Sequence, residues 1–245
     1  MTDSARKQPP QQPPPVQRLQ LRYVKRGRAR FTSHRDVARA LERALRRAGV
    51  PMAYSSGFNP HPRISYAGAS ATGAATEADF AELGLAEARE PSWVAEALTD
   101  ALPDGLDIVE VIERVPGDTR SLVDRLTASK WRTDIAGPTE EVVAEAVAAF
   151  LAASEVPVER LTKAGVRAFD ARRAVLELTP LGERSVCLVL RQESPLVRPD
   201  DVLQALGLVD ARFLLTASAL HTRLAQGEWD GHRIVGPFEV GAIDS

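Results

Sequence analysis

The chain has 245 residues, of which 44 % are hydrophobic and 26 % are charged, a composition typical of a soluble globular protein with ample length for a core. It has no apolar run near the roughly 20 residues that span a bilayer, and no secretory signal. Its single cysteine, Cys187, excludes an internal disulfide framework and a cysteine-ligated iron–sulfur cluster within one chain. We therefore expect a cytoplasmic protein.

The formal net charge of −2 conceals a strong asymmetry along the chain. Residues 18–63 hold 12 Lys and Arg residues but only two acidic ones, whereas the remainder of the chain is acidic. Charge separation on this scale favours a polyanion as the partner of the basic end.

The basic end begins after a Pro- and Gln-rich segment, residues 1–17, which is predicted to be a disordered tail. Residues 19–24 alternate between apolar and polar positions, which predicts a strand, and residues 30–32 are expected to resume that strand. Ser33, followed three residues later by an aspartate, predicts the start of a helix, and Gly49 predicts its end.

Helical periodicity divides this predicted helix into two faces. Its apolar face consists of Val37, Leu41, Ala44, Leu45 and Ala48. Its other face gathers five arginines within about 120° of arc: Arg35, Arg39, Arg43, Arg46 and Arg47. A solvated surface helix is the ordinary alternative, but like charges on one face repel, so the pattern favours contact with a polyanion.

The next segment, Tyr54–Arg63 (YSSGFNPHPR), predicts a stiff loop because two prolines bracket a histidine. It would hold Phe58, His61 and Arg63 together, and stacking surface beside positive charge suits single-stranded nucleic acid. The alternative is a fixed connection between strands with Phe58 in the core. The predicted nucleic-acid-binding residues are Arg22, Lys25, Arg26, Arg28, Arg30, Arg35, Arg39, Arg43, Arg46, Phe58, His61 and Arg63.

The remaining patterns predict an α+β fold of two tandem ferredoxin-like (βαββαβ) domains. Residues 18–116 form the first domain, with further strands at 52–55, 63–67, 79–85 and 106–115 and a second helix at 91–102. A linker at Pro116–Asp118 leads to a weaker repeat over 119–225, and residues 226–245 are expected to be an irregular tail. The repeat is predicted to contain helices at 139–153 and 199–206 and strands within 121–135 and at 156–163, 174–178, 186–190 and 213–223.

Catalytic motifs are sparse in this sequence. It has no HxH, HExxH or CxxC spacing for a metal, no Gly-rich phosphate loop and no Gly-x-Ser-x-Gly. His34 and His61, the histidines of the basic end, could form an acid–base pair for RNA cleavage if the fold brought them together. A surface histidine near a helix start is the simpler interpretation of His34.

Three segments carry a family resemblance: residues 18–67 (RLQLRYVKRGRARFTSHRDVARALERALRRAGVPMAYSSGFNPHPRISYA), 169–173 (FDARR) and 197–208 (VRPDDVLQALGL). They resemble the radical SAM-linked (radical SAM-associated) protein family, which carries the DUF2344 domain of unknown function, over roughly residues 18–226. The small-residue run at 68–75 departs from the bulkier residues expected there. The resemblance implies a radical SAM enzyme as partner, which would carry the iron–sulfur cluster, SAM and cobalamin, because this chain is expected to hold no cofactor.

The sequence thus favours a non-catalytic RNA-binding accessory or substrate-presenting partner of a radical SAM enzyme, in RNA modification or processing. One alternative is a metal-independent endoribonuclease that uses His34 and His61, by analogy with CRISPR RNA-processing proteins of tandem ferredoxin-like architecture. Another is a protein-binding module whose arginine face docks on an acidic partner.

Overall fold

A computed structural model describes residues 11–115, 117, 119–163, 165–182 and 184–239. Within these ranges the protein is a mixed α/β structure with four α-helices and a mostly antiparallel sheet of nine strands. Residues 1–10 of the expected tail, and Pro116 and Asp118 of the expected linker, lie outside the described residues.

The first half follows the predicted element order. Its elements are β1 (Gln17–Lys25), α1 (His34–Arg47), β2 (Ile64–Ala67), β3 (Ala75–Leu85), α2 (Pro91–Ala101) and β4 (Leu106–Glu113). In the sheet, β1 lies between β4 and β3, and β2 pairs with the outer side of β3; all of these pairings are antiparallel.

Two local predictions for the first half are wrong. Residues 27–31 form a 3-10 helix rather than a resumed strand, because Gly27 has a φ of 53° and turns the chain away from the sheet. Residues 52–55 form no strand: Met52 and Tyr54 make only isolated bridges.

The second half has the same order of elements around one insertion. Its elements are β5 (Ala128–Asp134), α3 (Glu140–Ala152), β6 (Pro157–Thr162), β7 (Gly165–Asp170), β8 (Val175–Pro180), β9 (Ser185–Arg191), α4 (Pro199–Val209), β10 (Leu220–Trp229) and β11 (Ile234–Val235). The strands of the main sheet run in the order β10-β5-β9-β8, while β6 and β7 form a separate hairpin that had not been predicted as a pair.

The last strand differs from its prediction at both ends. β10 begins at Leu220 rather than at residue 213 and continues past residue 225, so the tail expected to be irregular contains its end and the short strand β11. The two strands can pair here because Gly227 has no side chain to collide with the Val235 carbonyl.

The two halves meet at a short parallel pairing between β3 and β10. It comprises Thr222 opposite Ala75 and Arg223 opposite Thr76, and it joins the strands of both halves into one sheet. Each half also has its own core, in which α1 and α2 pack on the first group of strands and α3 and α4 on the second. We call the β3–β10 junction the seam.

Candidate nucleic-acid interface

The arginine face of α1 forms as the sequence predicts. The Ser33 hydroxyl oxygen accepts a hydrogen bond from the Asp36 amide (3.3 Å) and donates one to its carboxylate (2.7 Å), which starts the helix. The buried residues of the helix are Val37, Ala40, Leu41, Ala44 and Leu45. The exposed basic residues are Arg35, Arg39, Arg43, Arg46 and Arg47.

Most of these guanidinium groups have no partner within the protein. Arg39 has one long ion pair, 3.8 Å from Asp36, and Arg47 donates to the Ala101 carbonyl at 3.2 Å. In the part of the chain that the structure describes, Arg35, Arg43 and Arg46 form no ion pair and no side-chain hydrogen bond. Their charges are therefore available to an external anion.

Two of the basic residues predicted to bind nucleic acid have structural roles instead. Lys25 is buried, and its ammonium group donates to the Ala71 carbonyl at 3.0 Å; burial lowers the pKa of Lys25. Arg30 donates to the carbonyl oxygens of Gly73 (2.7 Å) and His221 (3.1 Å) and so connects the two halves. Neither cation is free to hold a phosphate.

The other basic residues around β1 divide into paired and unpaired cations. Arg22 lies 3.4 Å from the carboxylate of Glu110, and the guanidinium of Arg26 binds both carboxylate oxygens of Glu77. Arg28 is exposed, and no contact with an acidic side chain is described for it. Of these three, Arg28 thus resembles the arginines of α1 most closely.

The loop at residues 54–63 is braced as predicted. The Ser55 amide donates to the His61 carbonyl (2.8 Å), the His61 amide donates to the Ser55 hydroxyl (3.0 Å), and Arg63 donates to the Tyr54 carbonyl (3.0 Å). Phe58 is 67 % exposed rather than part of the core. The loop therefore presents an aromatic side chain to solvent on a fixed backbone.

In the described chain, no hydrogen bond or ring contact joins His34 to His61. The His34 ring packs edge-on against Tyr66, 5.0 Å between centroids, whereas His61 borders a cavity of about 280 Å³ that Ser65 also lines. The geometry gives no support to an acid–base pair of these histidines.

A second cavity, of about 300 Å³, lies at the seam and was missed by sequence reasoning. We call it the seam cavity. Its walls come from the small-residue loop after β2, from β5 and β10, and from the start of α4. The lining residues that matter most are Ser70, Ala71, Trp131, Arg198, His221 and Arg223.

His221 at this cavity is held by both of its ring nitrogens. Nε2 lies 2.8 Å from a carboxylate oxygen of Asp200, and Nδ1 lies 3.0 Å from the hydroxyl of the buried Thr133. The hydrogen bond from His221 lowers the pKa of Asp200. Both ring nitrogens are therefore engaged within the protein, which fixes the orientation of the imidazole at the cavity wall.

The sequence contains little that could have revealed this cavity. Its side chains come from segments far apart in the chain: the bond between His221 and Thr133 spans 88 positions. Within β10, His221 and Arg223 alternate in the strand pattern, which places them on one face. No pattern in that strand indicates which loop of the other half they meet.

Among the described residues, no three His, Cys, Asp or Glu side chains are grouped as metal ligands would be. Cys187 is a half-buried residue of β9, and burial raises the pKa of its thiol. None of the helices in the described ranges combines the length and the apolar character needed to cross a bilayer.

Residues 18–199 match the family described as "Uncharacterized protein conserved in bacteria (DUF2344)". The chain belongs to this family. The match covers the basic β1–α1 segment, the loop at 54–63 and the motif at 169–173, and it ends within the motif at 197–208. No curated protein matches the sequence.

Proposed function

We propose that the protein binds RNA through the arginine face of α1 and acts as a non-catalytic accessory of a radical SAM enzyme. The observation that carries the RNA proposal is the presence on one rigid helix of five exposed arginines, three of them without a partner in the described chain. An arginine without an internal carboxylate gives up no ion pair when it binds a phosphate, and phosphate binding releases counterions.

The loop at 54–63 supports RNA over other polyanions. An exposed aromatic ring at Phe58, on a backbone braced by Ser55 and His61, offers a surface on which an unstacked base can stack. An acidic protein would need the charge of the helix but not this ring. Docking on an acidic protein is therefore the weaker of the two uses of this face.

The role as an accessory rests on the chemistry that the chain lacks. Its one cysteine cannot provide the three thiolates that a radical SAM cluster takes from its own chain. In this proposal the partner enzyme carries the cluster, SAM and cobalamin, and this chain presents the RNA. No described contact joins His34 to His61, so the endoribonuclease alternative has no support from a paired acid and base.

We also propose that the two halves are ferredoxin-like units in tandem. The strand order β4-β1-β3-β2 of the first half recurs as β10-β5-β9-β8 in the second, and each set contains two helices. The β6–β7 hairpin is then an insertion in the second unit. The basic helix α1 is the first helix of the first unit.

The test measures binding of a fluorescein-labelled single-stranded RNA by anisotropy, with Arg35, Arg39 and Arg43 replaced together by Glu. We expect affinity to fall by more than tenfold. Each lost phosphate contact removes about 0.7 from the slope of log affinity against log salt for a single strand, so three lost contacts flatten that slope by about 2. All three residues are exposed, so we expect the variant to keep the fold, which circular dichroism checks.

The matched control replaces Lys163, Arg167 and Arg173 by Glu. These residues are also exposed, and their replacement changes the net charge by the same amount, but they lie in the second half. We expect this control to retain most of the wild-type affinity and its salt slope. Equal losses in the two triple variants would show that net charge alone drives binding, and unchanged affinity in the α1 variant would overturn the proposal.

A further inference from the structure

The seam cavity is preformed because polar side chains hold its small-residue loop in place. Lys25 donates to the Ala71 carbonyl (3.0 Å), Gln226 donates to the Gly68 carbonyl (3.1 Å), and the carboxylate of Asp79 accepts two hydrogen bonds from Ser70 (3.0 and 3.1 Å). A run of Gly, Ala and Ser would otherwise be costly to order.

The side chains that hold this loop are themselves buried. Lys25 is 1 % exposed, Asp79 2 % and Gln226 2 %. Burying charged and amide groups is expensive unless each finds a partner, and here the partners include backbone atoms of the loop. The loop is therefore fixed before any ligand arrives, as the wall of a binding site must be.

The walls suit a planar, uncharged, aromatic ligand. Trp131 contributes its aromatic ring to the wall, although the Arg223 guanidinium lies over that ring at 5.3 Å from its centroid, and its indole nitrogen is occupied by the Ser129 hydroxyl at 2.8 Å. The ionic groups inside the cavity already have partners: Arg223 is paired with Asp79, and the Asp200 carboxylate is hydrogen-bonded to His221. No unpaired cation is described deep in the cavity for a phosphate to bind, whereas Arg198 is exposed at its rim.

The volume fits one ring system. A cavity of about 300 Å³ lies at the lower end of the range for small-ligand sites, which suits a single heterocycle and not a large cofactor. Because the side chains of Ser70 and Ala71 are small, the backbone of the loop can closely approach the edge of such a ring. Bases of single-stranded RNA are recognised in this way, by stacking and by hydrogen bonds at their edges.

The seam cavity is also linked to the basic segment of the first half by direct contacts. The 3-10 helix Gly27–Phe31 joins β1 to α1, and its Arg30 holds Gly73 of the cavity loop through both a side-chain and a backbone hydrogen bond. The same turn exposes Arg28 and Phe31, which is 65 % exposed. A strand of RNA on the arginine face thus has a charged and aromatic path towards the seam.

We propose that the seam cavity binds one unstacked nucleobase of the bound RNA. This assignment rests on the proposed function, because the base belongs to the RNA that α1 binds. It adds to that function a base-binding site to which the second half of the chain contributes. The phosphates of the RNA lie on α1 of the first half, while the base enters a site whose walls come from both halves.

The first experiment uses AMP, GMP, CMP and UMP as probes, with ribose 5-phosphate as the ligand that lacks a base. Binding is followed by isothermal titration calorimetry on the unaltered protein. It is also followed by fluorescence of Trp131 in a Trp93→Phe, Trp229→Phe background, because the sequence has three tryptophans. We expect at least one nucleotide to bind and to quench Trp131, and ribose 5-phosphate to do neither. No binding of any of the four at millimolar concentration would overturn the proposal.

The second experiment blocks the cavity. Ala71 and Thr72 are neighbouring exposed residues of the loop, but only Ala71 lines the cavity. We expect Ala71→Leu to weaken nucleotide binding by at least tenfold and Thr72→Leu to leave it unchanged. Trp131→Ala should also weaken binding about tenfold, as expected for the loss of one stacked base. Equal binding by both loop variants would place the nucleotide elsewhere and overturn the assignment.

The last comparison separates failure of this inference from failure of the RNA proposal. The variant with Glu at positions 35, 39 and 43 should lose RNA but still bind the mononucleotide as wild type does. A single-stranded RNA should displace the mononucleotide from the wild-type protein. An RNA that binds without displacing it would overturn the assignment of the cavity to an RNA base and leave the proposed function standing. Mononucleotide binding without any RNA binding would overturn the proposed function and leave the cavity as a site for free nucleotides.

Discussion

Replacing Asp79 by Asn should destabilise the protein strongly, because this aspartate is the buried counter-ion of Arg223. The side chains are 3 % and 6 % exposed, and the Arg223 guanidinium also lies over the Trp131 ring, 5.3 Å from its centroid. The substitution leaves a buried cation without its anion. Breaking a buried pair in this way costs about 3–5 kcal/mol of unfolding free energy.

The opposite change, Arg223→Met, should cost less. The Asp79 carboxylate keeps its two hydrogen bonds from Ser70 and the nearby charge of Lys25. The double variant should cost less than the sum of the two single ones, with a coupling of about 1–3 kcal/mol, because it leaves neither charge uncompensated.

Urea unfolding at pH 7, followed by far-ultraviolet circular dichroism, gives these free energies. Asp134→Asn is the matched control, since Asp134 is paired with Arg132 at 2.8 Å but both side chains are exposed. Exposed pairs contribute about 1 kcal/mol or less. A loss for Asp79→Asn no larger than that of the control would show that the Arg223 charge is solvated, and would refute the reasoning.

Two further predictions concern Lys25 and Gly227. Burial lowers the pKa of Lys25, so the Lys25 side chain binds a proton more tightly in the unfolded chain than in the folded one. The free energy of unfolding should therefore rise as the pH increases towards 10.5, the ordinary pKa of lysine. Urea midpoints at pH 7 and 9, below the ordinary tyrosine pKa of 10.0, should show this rise in wild type but a smaller one in Lys25→Met. Gly227→Ala should lose about 1–3 kcal/mol because its Cβ would collide with the Val235 carbonyl. Gly207→Ala within α4, where the new Cβ makes only ordinary contact, should not be destabilising in the same urea measurement.

The parts of the fold that could be predicted are those whose signals are local. Ser33 and Thr139 each cap the helix that follows them, and the apolar spacing of α1 alone identifies its buried face. The end of β10 was harder, because its pairing with β11 depends on the absence of a side chain at Gly227. Strand patterns show where a chain is extended but not which strand it meets.

The candidate site shows the same difference between what local patterns predict and what tertiary contacts decide. The exposure of Arg35 and Arg43 follows from helical periodicity. Lys25 and Arg30 have the same charge, yet they bind backbone carbonyls of the loop after β2. Counting charges in a segment treats all of its cations as available, and only the tertiary contacts show which ones are already used.

The seam cavity needs both halves of the chain because side chains from each half hold the β3–β10 junction together. The parallel pairing of β3 with β10 has only two residue pairs, so backbone hydrogen bonds alone hold it weakly. Side chains cross it instead: Gln226 of β10 donates to the carbonyls of Gly68 and Ala78, and Arg30 reaches the carbonyl of His221. These bonds join the loop of the first half to the strand of the second, and the same loop forms a wall of the cavity. Separating the halves would leave these buried polar groups without partners. The hydrogen bonds that hold the two parts of the sheet together therefore also keep the cavity formed.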